Sequence, residues 1–197
     1  MLYMKTFEVE IKFRVGNADI ADLERQLQQR FGGSEFGEQV TESDSFFQHP
    51  CQDFEQTDEC LRLRNRSFSD GTSKYSLTYK GPKIDTRTKT RQEIEISVME
   101  PEQWESLLTA LGFYKSASVQ KFRRRMELTV EHRQVDIVFD TLPDLPESNR
   151  FFIEMETMAT EEEIEACRSL ILSIAAQLGL SEPIRDSYLK LVQNVRV

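Results

Sequence analysis

Carboxylates and basic residues recur two positions apart along this chain of 197 residues. The carboxylate pairs are Glu8/Glu10, Glu93/Glu95 and Glu154/Glu156. The basic residues with the same spacing are Arg62/Arg64/Arg66 and Lys121/Arg123/Arg125, with Lys80 and Arg91 alone in similar segments. Neighbouring carboxylates repel each other, and a divalent cation relieves that repulsion, whereas Lys and Arg bind phosphate through charge-assisted hydrogen bonds. The pattern therefore predicts a metal-dependent polyphosphate site.

The residue types also predict which cation would bind. Carboxylate oxygens select hard cations, here Mg²⁺ or Mn²⁺. The chain has only two histidines, so a histidine metal site is not expected. It also has no Walker A loop and no Gly-rich dinucleotide turn, so side chains rather than a helix N-terminus would recognise the phosphates.

Apolar residues separate the charges, which places each charged set on one face of a β-strand. In "FEVEIKFRV", residues 7–15, apolar and charged side chains alternate at every position, as on a strand with two different faces. Similar stretches predict seven more strands, at 42–49, 59–66, 73–81, 90–98, 119–130, 133–140 and 150–157. Their mostly sequential order favours an antiparallel meander or barrel.

Amphipathic helices are predicted between and after these strands. Apolar residues at helical spacing run from Ile20 to Phe31, and a second helix begins at Pro101 with Trp104, Leu107 and Leu111 on its buried face. A capping box that begins at Thr160 opens a third helix, and a short one is expected at 186–192. The chain thus reads as one α+β domain, residues 1–197.

Two arrangements of the charged faces remain open at this point. In an open antiparallel sheet, the charged face would simply be solvated, which is common. If eight strands close, with the helices over the apolar outer face, the charges line an interior. Such an interior requires that opposite charges pair or that a charged ligand fills it.

Composition excludes some function classes. The formal net charge of -9 argues against a general nucleic-acid binder. Cys51, Cys60 and Cys167 suggest neither a disulfide framework nor a zinc site, which predicts reduced thiols and a cytoplasmic location. No stretch predicts a signal peptide or a membrane span. The basic loop "KIDTRTK", residues 83–89, is expected to be solvated, with guidance of anions to a barrel mouth as the alternative.

The residues resemble a known family along nearly the whole chain. Glu8-Val9-Glu10-Ile11-Lys12 matches the ExExK signature of the CYTH, or triphosphate tunnel metalloenzyme, superfamily. Further matching segments follow in order: "DSFF", "LRLR", "SLTYKGPK", "TRQEIEI", "VQKFRRRME", "FFIEME" and "DSYLKLV". The set looks most like class IV adenylyl cyclases. The resemblance implies a closed eight-stranded antiparallel β-barrel whose tunnel binds triphosphates and divalent cations, with the amphipathic helices packed outside.

The resemblance also implies roles for individual residues. The metal carboxylates would be Glu8, Glu10, Glu154 and Glu156. The triphosphate contacts would be Lys12, Arg62, Arg64, Lys80, Arg91, Lys121 and Arg123. The catalytic residues would be Lys12, Glu10 and Asp140, with Glu93, Glu95 and Arg125 in support. For Tyr188, burial in the core and contact with the substrate both stay open.

The implied reaction is conversion of ATP to 3′,5′-cyclic AMP and pyrophosphate. The main alternative is a phosphatase that acts on tripolyphosphate, thiamine triphosphate or nucleoside triphosphates. A second alternative is a non-catalytic protein that binds polyphosphate. The expected partner is ATP or another triphosphate, without nucleic acid or membrane, and a homodimer is possible because related proteins are often dimers.

Overall fold

The computed structural model describes residues 6–84 and 88–195, and within them the chain forms eight β-strands and five α-helices. The strands are β1 Phe7–Arg14, β2 Val40–Gln48, β3 Cys60–Ser67, β4 Ser73–Lys80, β5 Arg91–Val98, β6 Tyr114–Val130, β7 Arg133–Thr141 and β8 Phe151–Ala159. The helices are α1 Ile20–Phe31, α2 Phe54–Thr57, α3 Pro101–Ala110, α4 Ile164–Gln177 and α5 Tyr188–Gln193. Within these residues, none of the helices has the length and apolar character needed to cross a membrane.

The strands close into an antiparallel barrel in the order β1-β5-β4-β3-β2-β6-β7-β8. This confirms the α+β fold with a closed eight-stranded antiparallel barrel. Each predicted strand is present, although β6 begins at Tyr114 rather than at residue 119. The capping box at Thr160 is also present, and Glu163 accepts hydrogen bonds from the Thr160 backbone and hydroxyl.

The hydrophobic core lies outside the barrel wall. The apolar face of β1, including Val9, Ile11 and Phe13, points away from the barrel axis and is fully buried. Helices α1 and α4 cover this face and the neighbouring strands β6, β7 and β8. Because strand side chains alternate between faces, the charged residues of β1 must point inward. The open, solvated sheet is therefore excluded.

Helix α3 covers the opposite side of the barrel less completely. Leu108 packs with Phe47 and Leu63, and Trp104 is partly buried against the same cluster. The prediction that Leu107 and Leu111 are buried was wrong, since they are 47% and 62% exposed. Trp104 and Leu108 are four residues apart and share one helix face, so the next row of apolar residues faces solvent.

The contact between β1 and β5 is short. These strands share only the pairs Phe7↔Gln92 and Glu8↔Arg91, whereas β1 pairs with β8 along its whole length. Beyond that point the loop before β5 continues the wall, and the Lys89 backbone N–H donates to the Glu10 carbonyl at 2.9 Å. The expectation of a solvated loop was wrong for Lys89, which is buried. Residues 85–87 of that loop lie outside the described residues.

Candidate active site

A cavity of about 1440 Å³ occupies the barrel interior, and charged side chains line most of it. Every second residue of a strand reaches it, as Glu8, Glu10 and Lys12 do on β1. The same alternation brings in the predicted triphosphate contacts on the other strands. These are Arg62 and Arg64 on β3, Lys80 on β4, Arg91 on β5, and Lys121 and Arg123 on β6.

Three carboxylates converge inside the tunnel. Glu8, Glu10 and Glu156 each offer one oxygen, and these oxygens lie within 4.8 Å of one another. The register explains the grouping, because Glu10 lies directly opposite Glu156 across the β1–β8 pair. Burial raises the pKa of Glu156 to about 8, and the neighbouring carboxylates Glu8, Glu154 and Glu10 act in the same direction.

The raised pKa values of Glu8 and Glu156 indicate negative charge that the protein does not fully compensate. Burial likewise raises the pKa of Glu8, although Lys80 opposes this effect. For Glu10, burial and Glu154 act to raise the pKa, but the neighbouring lysines outweigh them and lower it. A divalent cation with oxygen ligands would supply the missing positive charge. The donor set of Glu8, Glu10 and Glu156 therefore fits Mg²⁺ or Mn²⁺.

Glu154, the fourth predicted metal ligand, is not part of this cluster. Its carboxylate accepts from Arg123 Nη2 at 2.7 Å and lies 3.6 Å from Lys12 Nζ. Burial favours the neutral acid, but Lys12, Lys89 and Arg123 outweigh it and lower the pKa of Glu154 to about 2. In this structure Glu154 serves as a counter-ion for the basic residues.

The basic residues form ion pairs with carboxylates on neighbouring strands. Arg64 makes a bidentate contact with Asp44, at 2.6 Å and 2.8 Å. Arg123 contacts both oxygens of Asp140, at 2.7 Å and 2.5 Å. Lys121 lies 3.2 Å from Asp140 as well. These cations are held in fixed positions around the cavity, as recognition of a multiply charged anion requires.

Two arginines that line the tunnel retain unused hydrogen-bonding capacity. The Nε atoms of Arg62 and Arg91 are buried and have no hydrogen-bond partner within residues 6–84 and 88–195. Both side chains line the cavity. A buried donor without a partner is costly, so an anion in the tunnel would satisfy groups that the protein leaves unsatisfied.

Asp140 and the predicted supporting residues take different positions. Asp140 is buried behind Lys121 and Arg123 rather than at the cavity surface, and these cations lower its pKa to about 2 despite burial.

The predicted supporting residues Glu93, Glu95 and Arg125 differ in their contacts and in their exposure. Glu93 pairs with Lys80 at 2.7 Å, Glu95 lies 3.8 Å from Arg62 at a half-exposed position, and half-exposed Arg125 pairs with Asp136 at 2.8 Å.

Four further tunnel residues were not assigned from the sequence. Glu42 and Asp44 of β2 are buried counter-ions of Arg64 and lie two residues apart, so their spacing could have identified them. Lys89 comes from the loop before β5, where strand alternation gives no signal. The ring of Tyr188, on α5, lies 3.9 Å from Lys12 Nζ. Tyr188 therefore packs against the core and borders the tunnel beside the predicted site, and its contact with the substrate stays a prediction.

One mouth of the tunnel adds aromatic and apolar side chains to the charged lining. Phe47, Phe54 and Leu189 contribute to the cavity there, together with His49 and Tyr114. This region has room for an organic group attached to a phosphate chain.

This geometry has a counterpart among known proteins. The CYTH domain family model matches residues 6–188. The chain belongs to the CYTH domain family. CYTH enzymes are adenylate cyclases or triphosphatases that use divalent metals, and the carboxylate cluster described above lies within the matched residues.

Similar CYTH proteins come from several organisms. A Methanocaldococcus jannaschii protein, MJ0240, named as a candidate adenylate cyclase, is 30% identical over 187 residues, which cover 93% of this chain and 97% of that protein. The structure of PH1819 from Pyrococcus horikoshii OT3 is 36% identical with a TM-score of 0.79, covering 96% of this chain and 99% of that one. HpAC1 from Hippeastrum is 16% identical with a TM-score of 0.61, covering 95% of this chain and 96% of that one. It is described as a candidate adenylyl cyclase with a dominant triphosphatase activity. This last likeness shows the fold alone.

Proposed function

We propose that this protein is a divalent-cation-dependent adenylate cyclase that converts ATP to 3′,5′-cyclic AMP and pyrophosphate. The observation that carries the proposal is the convergence of Glu8, Glu10 and Glu156 in a tunnel whose other walls carry arginines and lysines. The name of the Methanocaldococcus jannaschii relative supports it. A homodimer and a cytoplasmic location stay predictions from the sequence.

The charges of the tunnel explain why the substrate and the cation would bind together. Most tunnel cations already contact a carboxylate, as Arg64 contacts Asp44 and Lys80 contacts Glu8. A triphosphate therefore adds negative charge that these residues cannot fully neutralise on their own. A cation bound at Glu8, Glu10 and Glu156 would supply the remaining positive charge, and Arg62 and Arg91 would donate their free Nε–H groups to phosphate oxygens.

The size of the cavity favours a nucleotide over inorganic tripolyphosphate. Pockets for drug-sized organic ligands have volumes of roughly 300–1,000 Å³, and this cavity is about 1440 Å³. The lining includes His49, Phe54 and Leu189, whose side chains could contact a nucleoside. In this proposal the triphosphate occupies the charged centre and the nucleoside extends toward these side chains.

In the cyclisation reaction the ribose 3′-oxygen attacks the α-phosphorus. A new P–O bond forms, the bond from the α-phosphorus to the bridging oxygen breaks, and pyrophosphate leaves with the electron pair. A bound divalent cation would polarise the phosphate and neutralise developing charge. The basic residues hold the phosphate chain in line for attack, which supplies most of the catalytic effect by positioning and electrostatic stabilisation.

The proton of the 3′-hydroxyl must also be removed. Burial, followed by the neighbouring cation Lys89, lowers the pKa of Lys12 well below its ordinary value. A lowered pKa increases the fraction of an amine that is free to accept a proton, as general acid–base catalysis requires. We assign this exchange to Lys12, and to Asp140 the positioning of Lys121 and Arg123.

A second opening supports hydrolysis as the alternative function. A smaller cavity of about 350 Å³ is lined by Glu8, Glu156, Arg125 and His132, among others, so it reaches the carboxylate cluster from another side. Water that enters there could attack the terminal phosphorus, giving a triphosphatase. The Hippeastrum protein, which has this fold, carries an adenylyl cyclase name and a dominant triphosphatase activity, and this supports the alternative.

The products from ATP labelled at the α-phosphate distinguish these functions. With Mg²⁺ or Mn²⁺, a cyclase moves the label into cyclic AMP and releases pyrophosphate. A triphosphatase leaves the label in ADP and releases orthophosphate, which would contradict the proposal. Tight binding of ATP without any product would instead identify a non-catalytic polyphosphate-binding protein. Glu156→Gln should abolish product formation, whereas Glu95→Gln, at the half-exposed rim, serves as its matched control.

A further inference from the structure

Lys89, in the loop before β5, contacts the carboxylate cluster with its side-chain ammonium group. Its Nζ donates to Glu10 Oε1 at 2.5 Å and lies 3.9 Å from Glu154 Oε1. The side chain is only 5% exposed. Glu10 is one of the three carboxylates that converge on the candidate metal position. Lys89 therefore competes for a group that a divalent cation would also use.

Buried contacts from outside the barrel hold Lys89 in this position. Its backbone N–H donates to the Glu10 carbonyl at 2.9 Å. The flanking Thr88 and Thr90 hydroxyls lie 2.6 Å apart, and Arg168 of α4 donates to the Thr88 hydroxyl at 3.4 Å. All of these residues are buried. Residues 88–90 thus have a defined path along the short β1–β5 seam, and the lysine is directed into the tunnel.

The charges indicate that an ammonium and a divalent cation cannot both bind Glu10 closely. Two cations on the same carboxylate repel each other strongly at low effective dielectric constant. Lys12 lies beside Lys89 and faces the same Glu154 carboxylate, 3.6 Å from its Nζ, so Glu154 is already shared between two lysines. A cation that binds Glu8, Glu10 and Glu156 would push the Lys89 ammonium away from Glu10. Glu154, whose Oε1 lies 3.9 Å from Lys89 Nζ, is the nearest other carboxylate, but it already pairs with Arg123 and faces Lys12. An anion in the tunnel, where the triphosphate would lie, would therefore be the partner with unused negative charge.

We propose that Lys89 is a built-in counter-cation of Glu10, which the divalent cation displaces and which then binds the triphosphate. The second half of this statement rests on the proposed function, and the first half does not. The exchange couples the two ligands. The metal releases Lys89 for the phosphate, and the phosphate gives the displaced ammonium a new partner.

The proposal predicts opposite effects of one substitution on two ligands. In metal-free protein, Lys89→Met should strengthen the binding of Mn²⁺ alone by about tenfold, because a competing charge at Glu10 is removed. In the presence of Mn²⁺, the same change should weaken the binding of an ATP analogue with methylene groups at both bridging positions, also by about tenfold. Lys89→Arg keeps the charge and should restore both affinities toward those of the wild type.

Lys121→Met is the matched control. Lys121 is also a buried tunnel lysine, but it contacts Asp140 and Glu42 instead of the three-carboxylate cluster. It should therefore weaken binding of the analogue without strengthening the binding of Mn²⁺. Calorimetry measures both affinities, and electron paramagnetic resonance measures free Mn²⁺ independently.

Two outcomes would overturn the proposal. If Lys89→Met weakens Mn²⁺ binding, the lysine supports the cluster instead of competing for it; if Mn²⁺ affinity is unchanged, there is no competition. Should Lys89→Met fail to fold, Lys89→Gln, which keeps a polar side chain, gives the same readout. The Mn²⁺ measurement needs no turnover, so failure of the proposed cyclase activity is distinguishable from failure of the exchange.

Discussion

Arg123 shows how one residue can link carboxylates from several strands of the tunnel wall. Its guanidinium lies within ion-pair distance of four carboxylates, those of Glu42, Asp140, Glu154 and Glu156. These contacts raise its pKa well above the ordinary value, against the opposing effect of burial. The residue stabilises charges that would otherwise be buried without partners.

Removal of Arg123 should therefore destabilise the protein strongly. Breaking a buried ion pair from one side typically costs about 3–5 kcal/mol, because the partner charge stays behind. We expect Arg123→Ala to lower the free energy of unfolding in urea by that amount. Arg125→Ala, two residues further on the same strand and half-exposed, should change it by no more than about 1 kcal/mol. Equal effects of both substitutions would contradict this account of the tunnel.

Glu156 is the residue whose loss should affect metal binding most specifically. Replacing an outer-shell partner of a metal ligand typically costs about 10–100-fold in affinity, so loss of a carboxylate ligand should cost at least about 100-fold. We expect this from Glu156→Gln in a Mn²⁺ titration. Asp136→Asn is a control on the neighbouring strand, directly opposite Glu156 but outside the cluster. An unchanged Mn²⁺ affinity in Glu156→Gln would remove Glu156 from the site.

Among the elements, the strands could be predicted from the sequence, whereas the loop residues that line the short β1–β5 contact could not. Alternation with a period of two directly reports the two faces of a strand, so it located β1 and placed Glu8, Glu10 and Lys12 on one face. That this face points inward follows from the closed barrel of the structure. Glu42 and Asp44 carry the same signal on β2. Lys89 could not be found in this way, because its place depends on the backbone contact of a loop with Glu10 and on the contact of Arg168 with Thr88.

Helix α5 borders the tunnel through Tyr188, whose position depends on tertiary packing. The Tyr188 ring contacts Phe152 at a centroid distance of 5.2 Å and lies beneath Lys12 Nζ. The loop between β7 and β8 packs against the same helix, since Leu142 and Leu145 cluster with Val192. The sequence predicted this helix but not its contact with the loop.

The ring of Tyr188, rather than its hydroxyl, should matter most. A cation–π contact contributes about 0.5–2 kcal/mol, and the contact with Phe152 adds packing. We expect Tyr188→Ala to lower kcat/KM for ATP by about tenfold or more, and Tyr188→Phe to stay within about twofold of the wild type. Steady-state kinetics with Mn²⁺ measures both. Equal losses in the two variants would instead assign the effect to the hydroxyl.

The molecule as a whole places its apolar core outside the barrel and its ions inside. The outer layer between the strands and helices α1 and α4 supplies hydrophobic stabilisation, which allows the tunnel to bury charges that oppose folding unless they are paired. A buried carboxylate cluster of this kind makes stability dependent on pH and on metal.

Glu156 determines the sign of that dependence. Its pKa is about 8 in the folded protein and near the ordinary 4.5 in the unfolded chain, so the folded state holds a proton that the unfolded chain has released. Its contribution to stability is therefore present at low pH and is lost as the pH rises through about 8. Lys12, whose pKa is lowered, acts in the opposite direction, so a comparison with a variant is needed.

We expect the stability of the metal-free wild type, relative to Glu156→Gln, to fall by about 1 kcal/mol per pH unit between pH 5 and pH 8. Urea unfolding of both proteins at several pH values measures this difference. Mn²⁺ should reduce the decline in the wild type, because it stabilises the ionised carboxylate. A difference that stays constant with pH would show that Glu156 is not perturbed.

The central claim is tested most directly by calorimetric titration of the protein with a non-reactive, methylene-bridged analogue of ATP. The account predicts tight binding with Mn²⁺, binding weaker by at least about 100-fold after removal of divalent cations, and a similar loss in Glu156→Gln even with Mn²⁺. Equal affinity with and without the cation, or full affinity in Glu156→Gln, would contradict a tunnel in which carboxylates, metal and triphosphate form one site.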